Sequence, residues 1–213
     1  MAVVPNEESS SIERILSEAT RLFAEAGYEG VSTRQIGTAT GLNISTINHH
    51  VGSKRQLYLR VIESLYEKEE QLVNEIVDAI DDSIIADKER FYAALANLID
   101  RLLGFAHDNP DRQRLYVQRW LEPADELKDR EVELTLRLYR RLAKILKRGQ
   151  EHGVVRDSLD LGYFLRSFDF MMFSYFTSGA FNWRLLRADP HQKTNLDKFK
   201  NYLLDYTRHM LEN

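Results

Sequence analysis

Residues 33–57 read TRQIGTATGLNISTINHHVGSKRQL, and this stretch carries the strongest structural signals in the chain. Ser32 and Gln35 form a capping box, which predicts the start of a short helix. Gly41 interrupts that helix, and Asn43 is a suitable cap for a second one. Two short helices joined by a tight turn that contains glycine are typical of the helix-turn-helix, a motif that places its second helix in the major groove of DNA.

The second of these helices has an apolar side and a polar side. When successive residues are placed about 100° apart, Ile44, Ile47 and Val51 fall together, and we expect them to pack against the other helices. The opposite side is short, polar and uncharged. Such a surface suits contact with base edges, because asparagine pairs with adenine and threonine contacts the thymine methyl group. The residues predicted to read bases are Ser45, Thr46, Asn48 and His49.

Residues on either side of this polar face are candidates for contacts with the DNA backbone. Thr33 begins the first short helix, where free N–H groups and the positive end of the helix dipole attract anions. Ser53 and Gln56 form another capping box, so Lys54 begins the next helix in an equivalent position. The predicted phosphate contacts are Thr33, Arg34, His50 and Lys54.

The charge distribution favours a nucleic-acid partner, although the net charge of the whole chain is −4. Between Gly30 and Ile62 there is no Asp or Glu, and the basic residues give this segment a charge of +4. The rest of the chain therefore carries −8. A locally basic segment in an acidic protein is the pattern expected of a small DNA footprint.

The remainder of the chain shows helical periodicity almost throughout. A first helix is predicted to begin at a capping box formed by Ser10 and Glu13, and a long fourth helix follows the motif. An aromatic helix near the C-terminus is predicted to run on towards Pro190. We predict an all-α protein of about nine helices, with a helix-turn-helix domain at 1–55 and a ligand-binding and dimerisation bundle at 56–213.

The last two helices carry apolar residues at alternating spacings of three and four. Two such seams suit a four-helix interface, to which each subunit of a homodimer contributes two helices. The same seams are equally able to pack within one subunit, and periodicity alone leaves both arrangements open. The predicted interface residues are Leu161, Leu165, Phe168, Met172, Leu196, Phe199, Leu203, Tyr206 and Met210.

Aromatic residues are concentrated between residues 163 and 183, in a helix that is apolar on more than one side. One face is expected to serve the dimer and another to line a pocket for an apolar or aromatic small molecule. Asp169 is predicted either to bind a cationic group of this ligand or to form a salt bridge with Arg166 or with the other subunit. The predicted ligand-binding residues are Phe105, His107, Tyr116, Trp120, Phe164, Asp169, Met171 and Tyr175.

Several classes of protein are disfavoured. The chain has no cysteine, which excludes disulfides, thiolate zinc sites and cysteine nucleophiles. It also has no glycine-rich phosphate loop, no G-x-S-x-G or H-E-x-x-H motif and no Glu-x-x-His pair, so we predict neither an enzyme nor a bound metal or cofactor. The N-terminus shows no secretory signal and the most apolar window contains charges, so we expect a cytoplasmic protein without a membrane span.

The motif resembles the TetR family of transcriptional regulators. The residues that match the family pattern are Thr33, Ile36, Gly41, Leu42, Thr46, Ile47, His50, Ser53, Lys54 and Leu57. Residues 23–28, FAEAGY, resemble the phrase that precedes the motif in that family, and residues 148–153, RGQEHG, resemble a weaker phrase between two later helices. The resemblance implies a dimer that binds double-stranded operator DNA and a small-molecule effector.

Three positions depart from the family pattern: Gly37, Asn48 and Val51. Asn48 stands where the family usually has a tyrosine that touches the DNA backbone, and the change either weakens binding or adds a contact to a base. The resemblance implies a repressor that a ligand releases from a palindromic operator, and the clustered aromatic residues favour an apolar or aromatic ligand. The alternatives are a transcriptional activator of the same family and a ligand-sensing helical protein with weakened DNA binding.

Overall fold

The computed structural model describes residues 7–121, 125–182, 184 and 186–212. Within these ranges the chain forms ten helices and one antiparallel pair of two-residue strands, which confirms the all-α prediction. The helices are α1 (Glu7–Ala26), α2 (Thr33–Thr40), α3 (Ile44–Val51), α4 (Lys54–Val77), α5 (Asp82–Ile85), α6 (Lys88–Asp108), α7 (Pro110–Leu121), α8 (Asp125–Glu151), α9 (Leu161–Ser178) and α10 (Lys193–Leu211). The strands are β1 (Ala180–Phe181) and β2 (Arg187–Ala188).

The chain divides into two compact units. The head unit comprises Met1–Glu67 and Asp111–Glu131, and the body unit comprises Lys68–Pro110 and Val132–Asn213. Helices α4 and α8 therefore each contribute residues to both units. The domain boundary predicted after residue 55 falls within α4, in the part of that helix that belongs to the head unit.

The head unit has an apolar core to which each of its first four helices contributes. Phe23 of α1, Ile36 of α2 and Ile47 of α3 are completely buried, and Leu57 of α4 is 1% exposed. The ring of Phe23 packs edge-on against Tyr58, with ring centroids 4.9 Å apart. These contacts hold the two short helices of the motif on α1 and α4.

The body unit has two apolar clusters. The larger one contains Phe91, Ile85 and Leu211, all completely buried, and it joins α6, α8, α9 and α10 to the end of α4. The smaller one contains Leu203 and Met172 and joins α10 and α9 to the second half of α6. The long helices of this unit are thus held together by residues that lie far apart in the sequence.

A buried amide closes the loop that follows α8. Gln150 is 7% exposed, and its Nε2 donates at 3.1, 3.4 and 3.2 Å to the carbonyl oxygens of Arg156, Asp157 and Leu159. A Cβ atom at the preceding residue, Gly149, would approach Val155 Cγ2 to 2.6 Å. The RGQEHG phrase of residues 148–153 therefore forms a tightly packed corner of the body unit.

Two elements near the N-terminus and in the middle of the chain differ from their predictions. Helix α1 begins at Glu7, so Ser10 lies inside the helix and the predicted capping box with Glu13 is wrong. The structure also contains a helix that was not predicted, α5, which is a single turn of four residues. It is capped by Asp81, whose Oδ1 accepts from the backbone N–H of Ile84 at 3.0 Å. Four residues are too few to show helical periodicity, which explains why α5 was not predicted.

The aromatic helix is shorter than predicted. It ends at Ser178 because Gly179 has a φ of +89°, a conformation that breaks the helix and that glycine adopts without a steric penalty. The chain then forms β1 and β2 instead of continuing as a helix towards Pro190. Asn182 stabilises the turn between the strands, since its Oδ1 accepts from the backbone N–H groups of Arg184 and Leu186 at 2.9 and 3.1 Å.

Candidate functional site

The helix-turn-helix is built by capping contacts between near neighbours. The backbone N–H of Ser32 donates to Gln35 Oε1 at 2.8 Å, and the N–H of Gln35 donates to Ser32 Oγ at 3.3 Å, which confirms the capping box at the start of α2. Gly41 ends α2 with a φ of +68°. The corresponding contacts between Ser53 and Gln56, at 2.8 and 3.3 Å, confirm the capping box before α4.

Gly37 allows the turn of the motif to pack closely against α2. Its carbonyl oxygen accepts from the backbone N–H of Leu42 at 3.1 Å. A Cβ atom at Gly37 would lie 3.0 Å from the carbonyl oxygen of Leu42, an approach so tight that the neighbouring backbone would have to shift by a few tenths of an ångström. This departure from the family pattern therefore accompanies a tight turn between the two short helices.

Helix α3 presents a polar surface to solvent. Ser45, Asn48 and His49 are exposed, whereas Ile47 and Val51 face the core. Ile44 was expected to face the core as well, but its side chain is 40% exposed because it lies in the first turn, at the edge of the packed face. The predicted base-reading residues thus include three that are accessible on one short helix.

Thr46, the fourth predicted base-reading residue, takes part in the cap of α3. Asn43 Oδ1 accepts from the backbone N–H of Thr46 at 2.8 Å and from its hydroxyl at 3.0 Å. Because the hydroxyl is engaged within the protein, the methyl group of Thr46 is the part of this side chain that is suited to contact a thymine methyl group. This capping role confirms the prediction that Asn43 starts the helix.

The end of α3 is tied to α4. Arg60 Nη1 donates to the backbone carbonyl oxygen of His50 at 2.9 Å, and His50 itself is half-buried. The rings of His49 and His50 lie edge to face with centroids 5.5 Å apart. Arg60 is one of the basic residues of the segment 30–62, and this contact gives it a positioning role at the C-terminal end of the candidate recognition helix.

Lys54 is held at the N-terminus of α4 by an aromatic ring. Its Nζ lies 4.2 Å from the centroid of the Tyr28 ring, which is within the range of a cation–π interaction. Tyr28 packs in turn against Tyr58 at 5.0 Å and against Phe23 at 6.2 Å. Sequence reasoning did not select Tyr28, although it closes the FAEAGY phrase that resembles the family.

The body unit contains an apolar cavity of about 60 Å³. Its wall is aliphatic or aromatic except for Thr207 of α10. The Thr207 side chain is 5% exposed, and its hydroxyl has no hydrogen-bond partner among the described residues. The other lining residues are Val77, Ile80, Leu95, Leu98, Ile99, Leu102, Leu142, Ile145, Leu146, Phe164, Leu165 and Phe168.

Phe164 is the predicted ligand-binding residue that lines this cavity. Met171 packs, partly buried, against the smaller apolar cluster of the body unit, and Phe105 and His107 lie half-buried towards the end of α6. Tyr175 is 8% exposed and stacks on Phe199 with ring centroids 3.9 Å apart. Sequence reasoning missed the leucines and isoleucines of the wall, because they have the same periodicity as ordinary core residues.

Tyr116 and Trp120 are the two predicted ligand-binding residues that remain. Tyr116 belongs to the head unit. Tyr116 of α7 is 6% exposed, and its ring packs edge-on against Tyr66 at 5.3 Å, with the guanidinium of Arg112 at 4.7 Å from its centroid. The side chain of Trp120 lies outside the described part of the chain. The assignment of both residues to a ligand site stays a prediction.

Asp169 has a partner within the body unit that sequence reasoning did not identify. Its Oδ2 accepts from the hydroxyl of Tyr139 at 2.7 Å. Burial, together with the charge of Asp169, raises the pKa of Tyr139 well above its ordinary value, so this hydroxyl remains a donor across the physiological range. The guanidinium of Arg166 lies 4.7 Å from the centroid of the Phe170 ring.

The apolar seams of α9 and α10 pack largely within the subunit. Leu165, Met172 and Leu203 are 9%, 8% and 0% exposed and belong to the two apolar clusters. Tyr206 lies 2.7 Å, hydroxyl to hydroxyl, from Ser167 of α9. The remaining seam residues are partly buried against the same clusters, and these are Leu161, Phe168, Leu196, Phe199 and Met210.

Other aromatic residues of the same two helices are exposed. Tyr163 and Phe170 of α9 are 80% and 45% exposed, and Tyr202 of α10 is 56% exposed. Tyr163 and Phe170 are seven positions apart, so they lie on the same side of α9. We call Tyr163, Phe170 and Tyr202 the exposed aromatic face.

Two family models match the chain. The model described as "Bacterial regulatory proteins, tetR family" matches residues 15–61, and the model described as "Tetracyclin repressor-like, C-terminal domain" matches residues 92–206. The chain belongs to the TetR family. In this TetR-family protein the first match covers the capped motif and the second covers most of the body unit.

In the part of the chain that the structure describes, no helix is long and apolar enough to cross a membrane.

Individual relatives agree with this assignment. The repressor AcnR of Corynebacterium efficiens is 46% identical over 50 residues, which is 24% of this chain and about a quarter, 27%, of AcnR. The crystal structure of FadR from Bacillus subtilis in complex with stearoyl-CoA has a TM-score of 0.68 at 18% identity and covers 94% of this chain and 99% of FadR. PfmR from Thermus thermophilus has a TM-score of 0.62 at 26% identity, covering 94% and 100%.

Proposed function

We propose that this TetR-family protein is a dimeric repressor of transcription that binds double-stranded operator DNA through α3 and leaves it when an apolar ligand enters the body unit. The observation that carries the proposal is the exposed, uncharged surface of α3 beside two capped helix N-termini, at Thr33 and Lys54. The likeness of this segment to a named repressor supports the same reading. The role is regulatory, not catalytic, and it places the protein in the cytoplasm.

In this proposal, the two helix starts position the protein and α3 reads the sequence. Thr33, Arg34, His50 and Lys54 contact phosphates, which carry no sequence information themselves. Ser45, Asn48, His49 and the methyl group of Thr46 face the bases. Tyr28 restrains Lys54 before DNA arrives, so less side-chain freedom is lost on binding.

The dimer is proposed to form through the exposed aromatic face, not through the seams that pack within the subunit. A two-fold axis beside α9 and α10 would bury Tyr163, Phe170 and Tyr202 against the same residues of a second copy. Changing Tyr163 and Tyr202 together to lysine is expected to give a folded monomer in analytical ultracentrifugation. A dimer of unchanged affinity would overturn this assignment.

The ligand is proposed to place a hydrocarbon group in the apolar cavity. A charged group there would lose its hydration without a compensating partner, whereas alkyl groups gain from leaving water. Asp169 is not among the residues that line the cavity, and its Oδ2 accepts a hydrogen bond from Tyr139, which argues against the cationic ligand considered from the sequence.

The ligand site can be tested with simple probes. Octanol is expected to raise the Tm of the wild-type protein, and Leu102→Trp, which fills the cavity, is expected to remove that effect while Lys144→Trp on the exposed surface of α8 does not. Benzyltrimethylammonium serves as the cationic comparison. A response to the cation that depends on Asp169, with none to octanol, would contradict the apolar assignment.

The release of DNA on ligand binding is proposed to act through α4. This helix begins in the motif and ends at the cavity wall with Val77. A dimer reads two half-sites at a fixed spacing, so a small displacement of α4 would misplace the two recognition helices. A coupling free energy of about 1–3 kcal/mol is sufficient for this. Equal affinity of the ligand for free and operator-bound protein would refute the coupling.

The DNA-binding proposal is tested by selecting genomic fragments with the purified protein and footprinting them at graded salt concentrations. We expect a palindromic site whose affinity falls steeply as salt rises. Lys54→Gln is expected to reduce the slope of log K against log salt by about one for each half-site, while the exposed Lys144→Gln leaves it unchanged. A folded dimer that selects no site would contradict the proposal.

Asn48 favours a second candidate, a ligand sensor with weakened DNA binding. The amide is exposed on α3 where the family commonly has tyrosine, so one backbone contact is lost. Asn48→Tyr distinguishes the two candidates, because it would restore affinity to a weakened sensor but would alter sequence preference in a functional repressor. A reporter gene beside the selected site separates repression from activation.

A further inference from the structure

Two histidines from distant parts of the sequence meet in the body unit. The Nδ1 atoms of His107 and His191 are 3.2 Å apart, although the residues are separated by 84 positions. Their ring centroids are 5.1 Å apart and their planes are inclined by 51°, so the rings converge on each other through these nitrogens and are not stacked. Neither residue lines the apolar cavity.

Both histidines lie where elements of the body unit begin or end. His107 lies in the last turn of α6, and His191 lies in the turn that leads into α10. The backbone N–H of His191 donates to Asp189 Oδ1 at 2.9 Å, and the ring of Phe176 lies 5.8 Å from its ring. The preceding residue, Pro190, accepts a hydrogen bond from the hydroxyl of Tyr175 at 2.9 Å.

The separation of the two nitrogens matches the bite of a metal chelate. Imidazole nitrogens bind Zn²⁺ at about 2.0–2.1 Å, and a tetrahedral angle then places two of them about 3.3–3.4 Å apart. The 3.2 Å between His107 and His191 is close to this value. The other arrangement that brings two such nitrogens together is a hydrogen bond between neutral rings, in which one nitrogen carries the proton and the other accepts it.

We propose that His107 and His191 form a two-histidine chelate for a divalent transition metal of the class Zn²⁺, Ni²⁺ or Cu²⁺. Imidazole suits these ions, and affinity is expected to be highest for Cu²⁺. Among the described residues there is no group of three or more His, Asp or Glu side chains that could hold a metal, so water completes the coordination sphere. The bound ion would link the end of α6 to the turn before α10.

The site is independent of DNA binding and of the apolar ligand. The sequence offered no reason to expect it, because the two histidines are 84 positions apart in the chain. His107 was selected only as a possible anchor for an organic effector. The chelate assigns it a different chemistry, which does not rest on the proposed function.

The test uses the full chain without an affinity tag and titrates it separately with Cu²⁺, Ni²⁺ and Zn²⁺ in a calorimeter. We expect one ion per chain, with His107→Ala and His191→Ala each weakening Cu²⁺ binding at least tenfold. His152→Ala and His209→Ala are matched controls, because both are exposed and each Nδ1 contacts a backbone carbonyl oxygen of its own helical turn or helix. The controls are expected to bind as the wild type does.

Electron paramagnetic resonance of the Cu²⁺ form supplies a second readout. In the wild type we expect the Cu²⁺ electron spin to couple to two imidazole nitrogens. In His107→Ala or His191→Ala we expect it to couple to one. Circular dichroism establishes that the variants are folded. The proposal is overturned if His191→Ala binds Cu²⁺ as tightly as the wild type, if the control variants lose as much affinity, or if the folded wild type binds none of the three ions.

Discussion

The contacts that stabilise the head unit internally differ in sequence range from those that stabilise the body unit internally. In the head unit the caps of α2 and α4 join residues three positions apart, as in Ser53 and Gln56. In the body unit the hydroxyl of Tyr92 donates to the carbonyl oxygen of Val154, 62 positions away, at 3.4 Å. The motif is therefore specified locally, whereas the body depends on distant parts of the chain meeting.

The two units also offer partners opposite kinds of surface. The head unit exposes short polar side chains on α3 in a segment that has no acidic residue between 30 and 62. The body unit contains a cavity with an almost entirely hydrocarbon wall. A charged polymer and an apolar small molecule are thus suited to different units of one chain.

The largest expected effect comes from truncating the centre of the body unit. Phe91 is completely buried, so Phe91→Ala removes its packing and leaves a cavity, at a cost of about 3–5 kcal/mol. Urea unfolding followed by circular dichroism measures this loss. Phe181→Ala is the matched control, since Phe181 is 63% exposed, and equal losses for the two variants would contradict the placement of the core.

A smaller loss is expected from the buried amide of the body unit. Gln150→Met keeps the length of the side chain but leaves three loop carbonyl oxygens without their donor, which costs about 1–3 kcal/mol. The midpoint of urea unfolding measures it. Lys144→Met, on the exposed surface of α8, should change the midpoint little. If Gln150→Met left the midpoint unaltered, the corner would not depend on this amide.

Removing a local cap from the head unit is expected to cost less. Ser53→Ala deletes the hydroxyl that accepts from the backbone N–H of Gln56 and reduces stability by about 1 kcal/mol. Hydrogen exchange should accelerate in the first turn of α4 and not in α9. The exposed Ser174→Ala is the control. Acceleration spread evenly through both units would argue against local specification of the motif.

The smallest effect concerns an ion pair of the body unit. Arg148 Nη2 lies 2.6 Å from Asp82 Oδ1, and this hydrogen bond together with the arginine charge lowers the pKa of Asp82. A lowered carboxyl pKa stabilises the fold at neutral pH, and that contribution disappears as the pH falls below the ordinary carboxyl range. In Asp82→Asn the free energy of unfolding should therefore fall slightly less steeply as the pH is lowered than it does in the wild type. Unfolding at several pH values measures this difference. Because the carboxylate is exposed, the change at neutral pH is small.

The outcomes of the sequence predictions follow the same division. Both capping boxes of the motif, the cap at Asn43 and the burial of Ile47 were predictable, since each depends on a few neighbouring residues. Ile44 was not, because its exposure depends on where the packed face ends. The contacts of Tyr28 with Lys54 and of Arg60 with His50 also required the three-dimensional arrangement of α1, α3 and α4.

In the body unit, periodicity identified apolar faces but not what covers them. Leu165 and Leu203 have the spacing of an interface, yet both are buried within one subunit, while Tyr163 and Tyr202 are exposed. Helical spacing carries the same signal in either case. The end of α9 was missed for a related reason, since Gly179 breaks the helix within an apolar stretch whose composition continues beyond it.

The sequence by itself determined that this protein is helical, that residues 33–57 form a helix-turn-helix and that the chain resembles the TetR family. Capping, turn chemistry and side-chain periodicity act over a few residues, so they can be predicted from the sequence alone. Only the tertiary structure decided which apolar residues line the cavity, that Asp169 pairs with Tyr139, and that His107 meets His191. These contacts join residues that are far apart in the chain, and their partners are set by how the helices pack.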